Sequence, residues 1–138
     1  MRTCKPSKPK IAFTIGYMSL ILATSLVPGF EISDSESISI ARQIIQNLLH
    51  IPMFVILTIL FLQIARNYDI GRWKAGSLAF VFCGIFGLLN EIIQIFIPGR
   101  SGGLMDIGLN SIGALIGILI YFSVEKSRSG LIYQIICT

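Results

Sequence analysis

Four stretches of this chain are long enough to cross a membrane and almost free of charge, and nothing else in the sequence limits the fold so strongly. Residues 11–30 carry no charged side chain, and residues 43–65 carry only His50 as an ionisable group. Residues 75–99 hold Glu91 alone, and residues 101–124 hold Asp106 alone. A hydrocarbon core of about 30 Å takes about 20 helical residues, a length that each run meets. Apolar and polar residues do not alternate strictly within them, so a membrane β-barrel fits poorly. Hydrophobic residues make up 54% of the 138 residues and charged ones 13%, too little polar surface for a soluble domain and too much apolar surface for disorder. The expectation is an all-α integral membrane protein with four transmembrane helices.

The charges set the orientation. Arg2, Lys5, Lys8 and Lys10 precede the first run, Arg66, Arg72 and Lys74 lie between the second and third, and Lys126 and Arg128 follow the fourth. The other two connections hold only Arg42 and Arg100. Basic residues collect on the cytoplasmic side of a membrane protein. Both termini are therefore expected to be cytoplasmic, with the connections around 31–42 and 99–103 facing out. The chain divides into a basic cytoplasmic tail (1–10), a membrane domain (11–124) and a second cytoplasmic tail (125–138). The net charge of +4 is read as this topological bias, so no nucleic-acid partner is expected.

The first run follows basic residues as a signal peptide would. It is long for that role and lacks a small-residue cleavage site, so a retained helix is expected. The acidic, serine-rich connection after it reads as a solvated segment in which Asp34 or Ser35 caps a short interfacial helix. Residues 131–136 form a short apolar patch suited to the inner leaflet. Cys4, Cys83 and Cys137 have no metal-binding or redox spacing.

An ionisable group inside a membrane helix costs about 3 kcal/mol at the centre, so each needs a reason. His50, Glu91 and Asp106 are the ones present, accompanied by the polar Asn47, Gln94 and Asn110. In the expected topology all six lie at one depth, in the outer leaflet. Helical spacing puts Gly84, Gly87, Glu91 and Gln94 on one stripe of the third run, and Asp106, Asn110, Gly113 and Gly117 on one stripe of the fourth. Small residues let helix backbones approach, so the polar groups are expected at the outer end of a glycine-lined seam between these two helices. Plainer roles compete for each residue: a helix-dipole partner for Asp106, an interfacial anchor or lipid-phosphate contact for Arg100, a salt bridge from Glu91 to Arg100, and a buried hydrogen bond for His50.

Pro98 ends the third helix, and the glycines around Arg100 allow a tight reversal. Backbone N–H groups beside Arg100 and a helix start could cradle an external phosphate. The turn lacks the Gly-Lys-Ser/Thr of a nucleotide loop, which leaves a lipid or lipid-linked phosphate as the ligand it suits.

The run Glu91-x-x-Gln94-x-Phe96-x-Pro98-Gly99-Arg100, followed by Asp106-x-x-x-Asn110-x-x-Gly113-x-x-x-Gly117, resembles the core motif of the VanZ-like membrane proteins. His50 is similar to a histidine that this family carries in an earlier helix. The likeness extends over about residues 47–122. The family often has an Asp-Lys pair just before that histidine, where this chain has Gln46 and Asn47. The resemblance implies a small multi-pass protein of the bacterial cytoplasmic (inner) membrane with a cell-envelope role, its named member being associated with teicoplanin resistance. It implies no defined reaction.

Three functions follow as expectations. The first is an outer-leaflet site that binds or modifies a membrane lipid or lipid-linked envelope component. There Glu91 would be the acid or base with His50 and Asp106 as catalytic partners, while Gln94, Arg100 and Asn110 bind the substrate. No cofactor or metal is required. The second is an accessory protein whose polar network only packs the bundle. The third is a proton-linked transporter using Glu91. The Gly113/Gly117 face is also a candidate surface for a homo-oligomer.

Overall fold

In a computed structural model, residues 8–27, 36–68, 70–98 and 103–126 are described, and among them every regular element is helical. The elements are α1 (Lys8–Ser25), α2 (Glu36–Ala65), a 3-10 turn (Arg66–Tyr68), α3 (Arg72–Ile95) and α4 (Leu104–Lys126). Three of these are long and apolar enough to cross a membrane, over Asn47–Tyr68, Arg72–Ile95 and Leu104–Glu125.

The first helix differs from expectation. It ends at Ser25 rather than continuing to residue 30, and its 18 residues include Lys8 and Lys10. At 1.5 Å per residue it is about 27 Å long, and its uncharged part is shorter still. The second helix is longer than expected, with 30 residues or about 45 Å. The short interfacial helix leading to Arg42 is therefore the first part of α2 itself. Asp34 and Ser35, and the apolar patch at 131–136, lie outside the described residues.

Local chemistry explains the turn that carries the candidate site. At the end of α3, Phe96 N donates to Ile93 O (3.1 Å) and Ile97 N to Gln94 O (3.0 Å), a tightened last turn. Pro98 has no N–H with which to continue the ladder, and it disfavours helical geometry at Ile97. The Gly103 carbonyl then accepts from Asp106 N (3.0 Å) and Ile107 N (3.4 Å), starting α4.

The centre of the bundle is the pair α2–α4, and here the expected seam is corrected. Gly113 lies against the Ile51 carbonyl and Phe54, and Gly117 against Thr58 and the Val55 carbonyl. The α4 glycine stripe thus faces α2 rather than α3. At these two glycines it is covered within the chain. The α3 contacts differ: Gly76 meets Ile118 and Phe122, Gly87 meets Asn110 and Phe54, and Gly84 has nothing near it.

Two apolar clusters fill the interior. Ile21, Phe54, Leu57, Cys83, Phe86 and Ala114 occupy one half, and Leu62, Ala65, Ala75, Ala79 and Tyr121 the other. Large apolar side chains such as Val81, Ile85, Leu88, Leu115 and Leu119 point outward. In water so much exposed apolar surface would be costly, whereas against lipid chains it costs little. Polar residues instead turn inward: Thr58, Asn90, Glu91, Gln94, Asp106 and Asn110 are all buried.

At the end where α2 joins α3, Glu125 receives Arg66 Nη1 at 3.0 Å and Arg72 Nε at 3.6 Å. The arginine side chains are 40% and 55% exposed, so the pairs are screened. Glu125→Gln is expected to lower stability by less than about 1 kcal/mol, readable as a small change in thermal unfolding in detergent.

Candidate functional site

Glu91 stands four residues before the end of α3, about 6 Å below the turn, and is 3% exposed. Its Oε2 accepts a hydrogen bond from Gly103 N at 3.3 Å, which ties the last turn of α3 to the first of α4. Its Oε1 lies 3.7 Å from His50 Nε2 on α2. That separation suits an ion pair with a protonated imidazole but is too long for a hydrogen bond. Asp106 and Asn110 on α4 complete the electrostatic surroundings of the carboxylate. Three helices thus converge on one buried acid.

Asn110 is 2% exposed and packs over Gly87, where a Cβ would come within 3.0 Å of its amide nitrogen. It faces Glu91, yet neither of its amide atoms makes a hydrogen bond of ordinary geometry. Asp106 is 4% exposed in the first turn of α4, a place where a carboxylate complements the helix dipole. Gln94 belongs to the same layer but turns away from the acid. Its Nε2 donates to Ser25 Oγ at 3.3 Å, and Ser25 in turn donates to Ile21 O, which pins the end of α1 to α3. Arg100 lies outside the described residues.

The structure therefore gathers His50, Glu91, Asp106 and Asn110, and directs Gln94 to α1. It also adds residues that sequence patterns pass over. Asn90 is completely buried, and both its amide atoms lack a hydrogen-bond partner. Its signal was an uncharged amide inside an apolar helix beside Glu91. A single-stripe reading misses it, because α3 packs against α1, α2 and α4 and so buries a wider arc. Ser25 and the Gly103 N–H had no sequence signal, since one is an ordinary helix serine and the other is backbone. Among the described residues no three His, Cys, Asp or Glu side chains are placed to hold a metal ion.

Buried polar groups are ordinarily hydrogen-bonded, and an unmet one costs about 1–3 kcal/mol. Glu91 Oε1 and both amide atoms of Asn90 and Asn110 lack such bonds, and all belong to one layer at the α3–α4 end of the bundle. The arrangement has the chemical means to accept a polar group from outside and to exchange a proton with it through Glu91 or His50.

No solved structure matches the chain. An uncharacterized protein of the fission yeast Schizosaccharomyces pombe is 32% identical over 80 residues, which cover 57% of this chain and 48% of that protein. The chain thus aligns with about half the length of this curated relative. The VanZ/LLP1 family matches residues 4–125, nearly the whole of the helical part described above, and the chain belongs to that family.

Proposed function

We propose that this VanZ-like, multi-pass membrane protein binds the polar headgroup of a membrane lipid or lipid-linked envelope component at the α3–α4 end of its bundle. The observation that carries the reading is the buried, incompletely hydrogen-bonded layer of Glu91 and Asn110 beside His50 and Asp106. In this reading α1 is a fourth span, both termini are cytoplasmic, and the site faces the outer leaflet of a bacterial cytoplasmic membrane. The basic residues 66, 72 and 74 at the opposite end support that orientation. Arg100, which follows α3 in the sequence, is assigned to an anionic part of the ligand, and Gln94 braces the layer through Ser25. Where a bond is made or broken, Glu91 is the proton-transferring group, with His50 adjusting its charge.

The family likeness extends the proposal to glycopeptide susceptibility, with the protein raising teicoplanin tolerance in a sensitive Gram-positive host. The test compares wild type, Glu91→Gln and Arg100→Ala at matched membrane abundance. Wild type is expected to raise tolerance, and both variants to fall back to the level of cells lacking the protein. Variants that protect as well as wild type would reduce the polar layer to helix packing. A wild type without effect would separate this chain from the resistance role.

A further inference from the structure

At the end of the bundle remote from Glu91, about 28 Å away along α3, three apolar spans stop together. Asn47–Tyr68 ends there, Arg72–Ile95 begins and Leu104–Glu125 ends. The headgroups of the surrounding lipid therefore meet the chain at residues 66–74 and 125–126. Those two segments hold four basic and two acidic side chains, a surplus of two positive charges.

The basic groups are arranged around one exposed ring. Trp73 is 91% exposed, and Tyr68 on the same turn is exposed as well. Tryptophan and tyrosine collect where a membrane meets water, because their rings suit the apolar side and their N–H or O–H the polar side. At 100° per residue, Arg72 and Lys74 flank Trp73 to either side on α3. Lys74 is exposed and makes no ion pair among the described residues.

Arg72, by contrast, is fixed in place. Its Nη2 donates to the Phe122 carbonyl at 3.2 Å, and its guanidinium lies 4.8 Å from the centre of the Phe122 ring. Its Nε is 3.6 Å from Glu125 Oε2, an acid that it shares with Arg66. A guanidinium has five N–H donors, and those on Nη1 have no partner among the described residues. An arginine already held, with donors left over, loses little side-chain freedom on binding.

Phospholipids differ in how they meet such a surface. All bring a phosphate, which arginine binds through strong charge-assisted hydrogen bonds. In phosphatidylcholine a quaternary ammonium cancels the phosphate charge and meets the basic residues as a like charge. In phosphatidylglycerol the phosphate charge stands alone. We propose that the α2–α3 turn and the end of α4 form a contact surface for an anionic phospholipid headgroup. Arg72 and Lys74 are the cations that select it, and Trp73 is the ring it packs against. The surface does not depend on the polar layer at the other end of the bundle.

Trp73 is the single tryptophan of the chain, so it serves as the reporter in the test. The full chain is reconstituted in mixed phosphatidylcholine–phosphatidylglycerol bilayers in which one lipid at a time carries dibrominated acyl chains, which quench a neighbouring tryptophan. Brominated phosphatidylglycerol is expected to quench as though enriched about fivefold beside Trp73 at low salt. Most of that enrichment should vanish at about 1 M salt, where charges are screened within about 3 Å. Lys74→Gln and Arg72→Gln are each expected to reduce it to about twofold or less. Lys74 has no partner to lose, so its variant reports even where Arg72→Gln folds poorly. Equal quenching by the two lipids would overturn the proposal, as would an enrichment that Lys74→Gln leaves unchanged. A matching enrichment of brominated phosphatidylethanolamine, or one undiminished by salt, would show that headgroup shape rather than charge is read, which also overturns it. No quenching by any brominated lipid would place Trp73 away from the bilayer and overturn the surface altogether.

Discussion

Replacing Gly113 with alanine is expected to lower the stability of the bundle by about 1–3 kcal/mol, despite alanine being the better helix former. The added Cβ would stand 2.5 Å from the Ile51 carbonyl oxygen and 3.0 Å from Phe54 Cβ. The first of these is backbone of the facing helix, and no side-chain rotation can relieve the contact. Relief requires α2 and α4 to separate, and with them the clusters that both helices support. Gly117→Ala is expected to act in the same direction, its Cβ falling 2.8 Å from both Thr58 Cβ and the Val55 carbonyl. Gly84→Ala supplies the control, because nothing lies within 4 Å of the new methyl group. It should be neutral or slightly stabilising, by no more than about 1 kcal/mol. Thermal unfolding of the three purified variants in one detergent checks the ordering. Similar midpoints for Gly113→Ala and Gly84→Ala would rule out the α2–α4 seam as described.

Asn90→Val is expected to move stability the other way, raising it by about 1–3 kcal/mol while weakening function. Asn90 is completely buried, and neither its amide nitrogen nor its oxygen has a hydrogen-bond partner. Exchanging an unmet polar group for an apolar one of comparable size removes a desolvation cost without opening a cavity. A site residue commonly shows this combination of gained stability and lost activity. Unfolding midpoints and the susceptibility assay, run on one membrane preparation, give both readings. A destabilised Asn90→Val would mean that the amide is satisfied in the folded protein and holds the helices together. The prediction thus separates a ligand-directed layer from a packing network at a residue other than Glu91.

Much of the architecture is legible from the chain's charge spacing. The third and fourth helices were expected over 75–99 and 101–124 and are found at Arg72–Ile95 and Leu104–Lys126. The reason is physical: in a hydrocarbon layer a backbone must satisfy its own hydrogen bonds, so an apolar run of that length has few alternatives to a helix. The layer of His50, Glu91, Asp106 and Asn110 was legible for a related reason. Helices that alternate in direction bring residues equally far from one face to one depth, whatever their neighbours are.

Neighbours, however, are not written into a single helix. The spacing of Gly113 and Gly117 defines a face without saying which helix meets it, and the face meets α2 where α3 was expected. Gln94 shares a stripe with Glu91, yet a rotation of α3 that points Glu91 at Gly103 and His50 turns Gln94 toward Ser25. Asn90 joins the interior because three helices surround α3, a circumstance its own periodicity does not record. The sequence by itself determined the three long apolar helices and the common level of the polar residues along them, because those follow from the transfer of each residue between water and hydrocarbon. Which faces pair, and which polar atoms are left without partners, only the tertiary structure decided, because those depend on how close two backbones come, and that distance is a property of the pair.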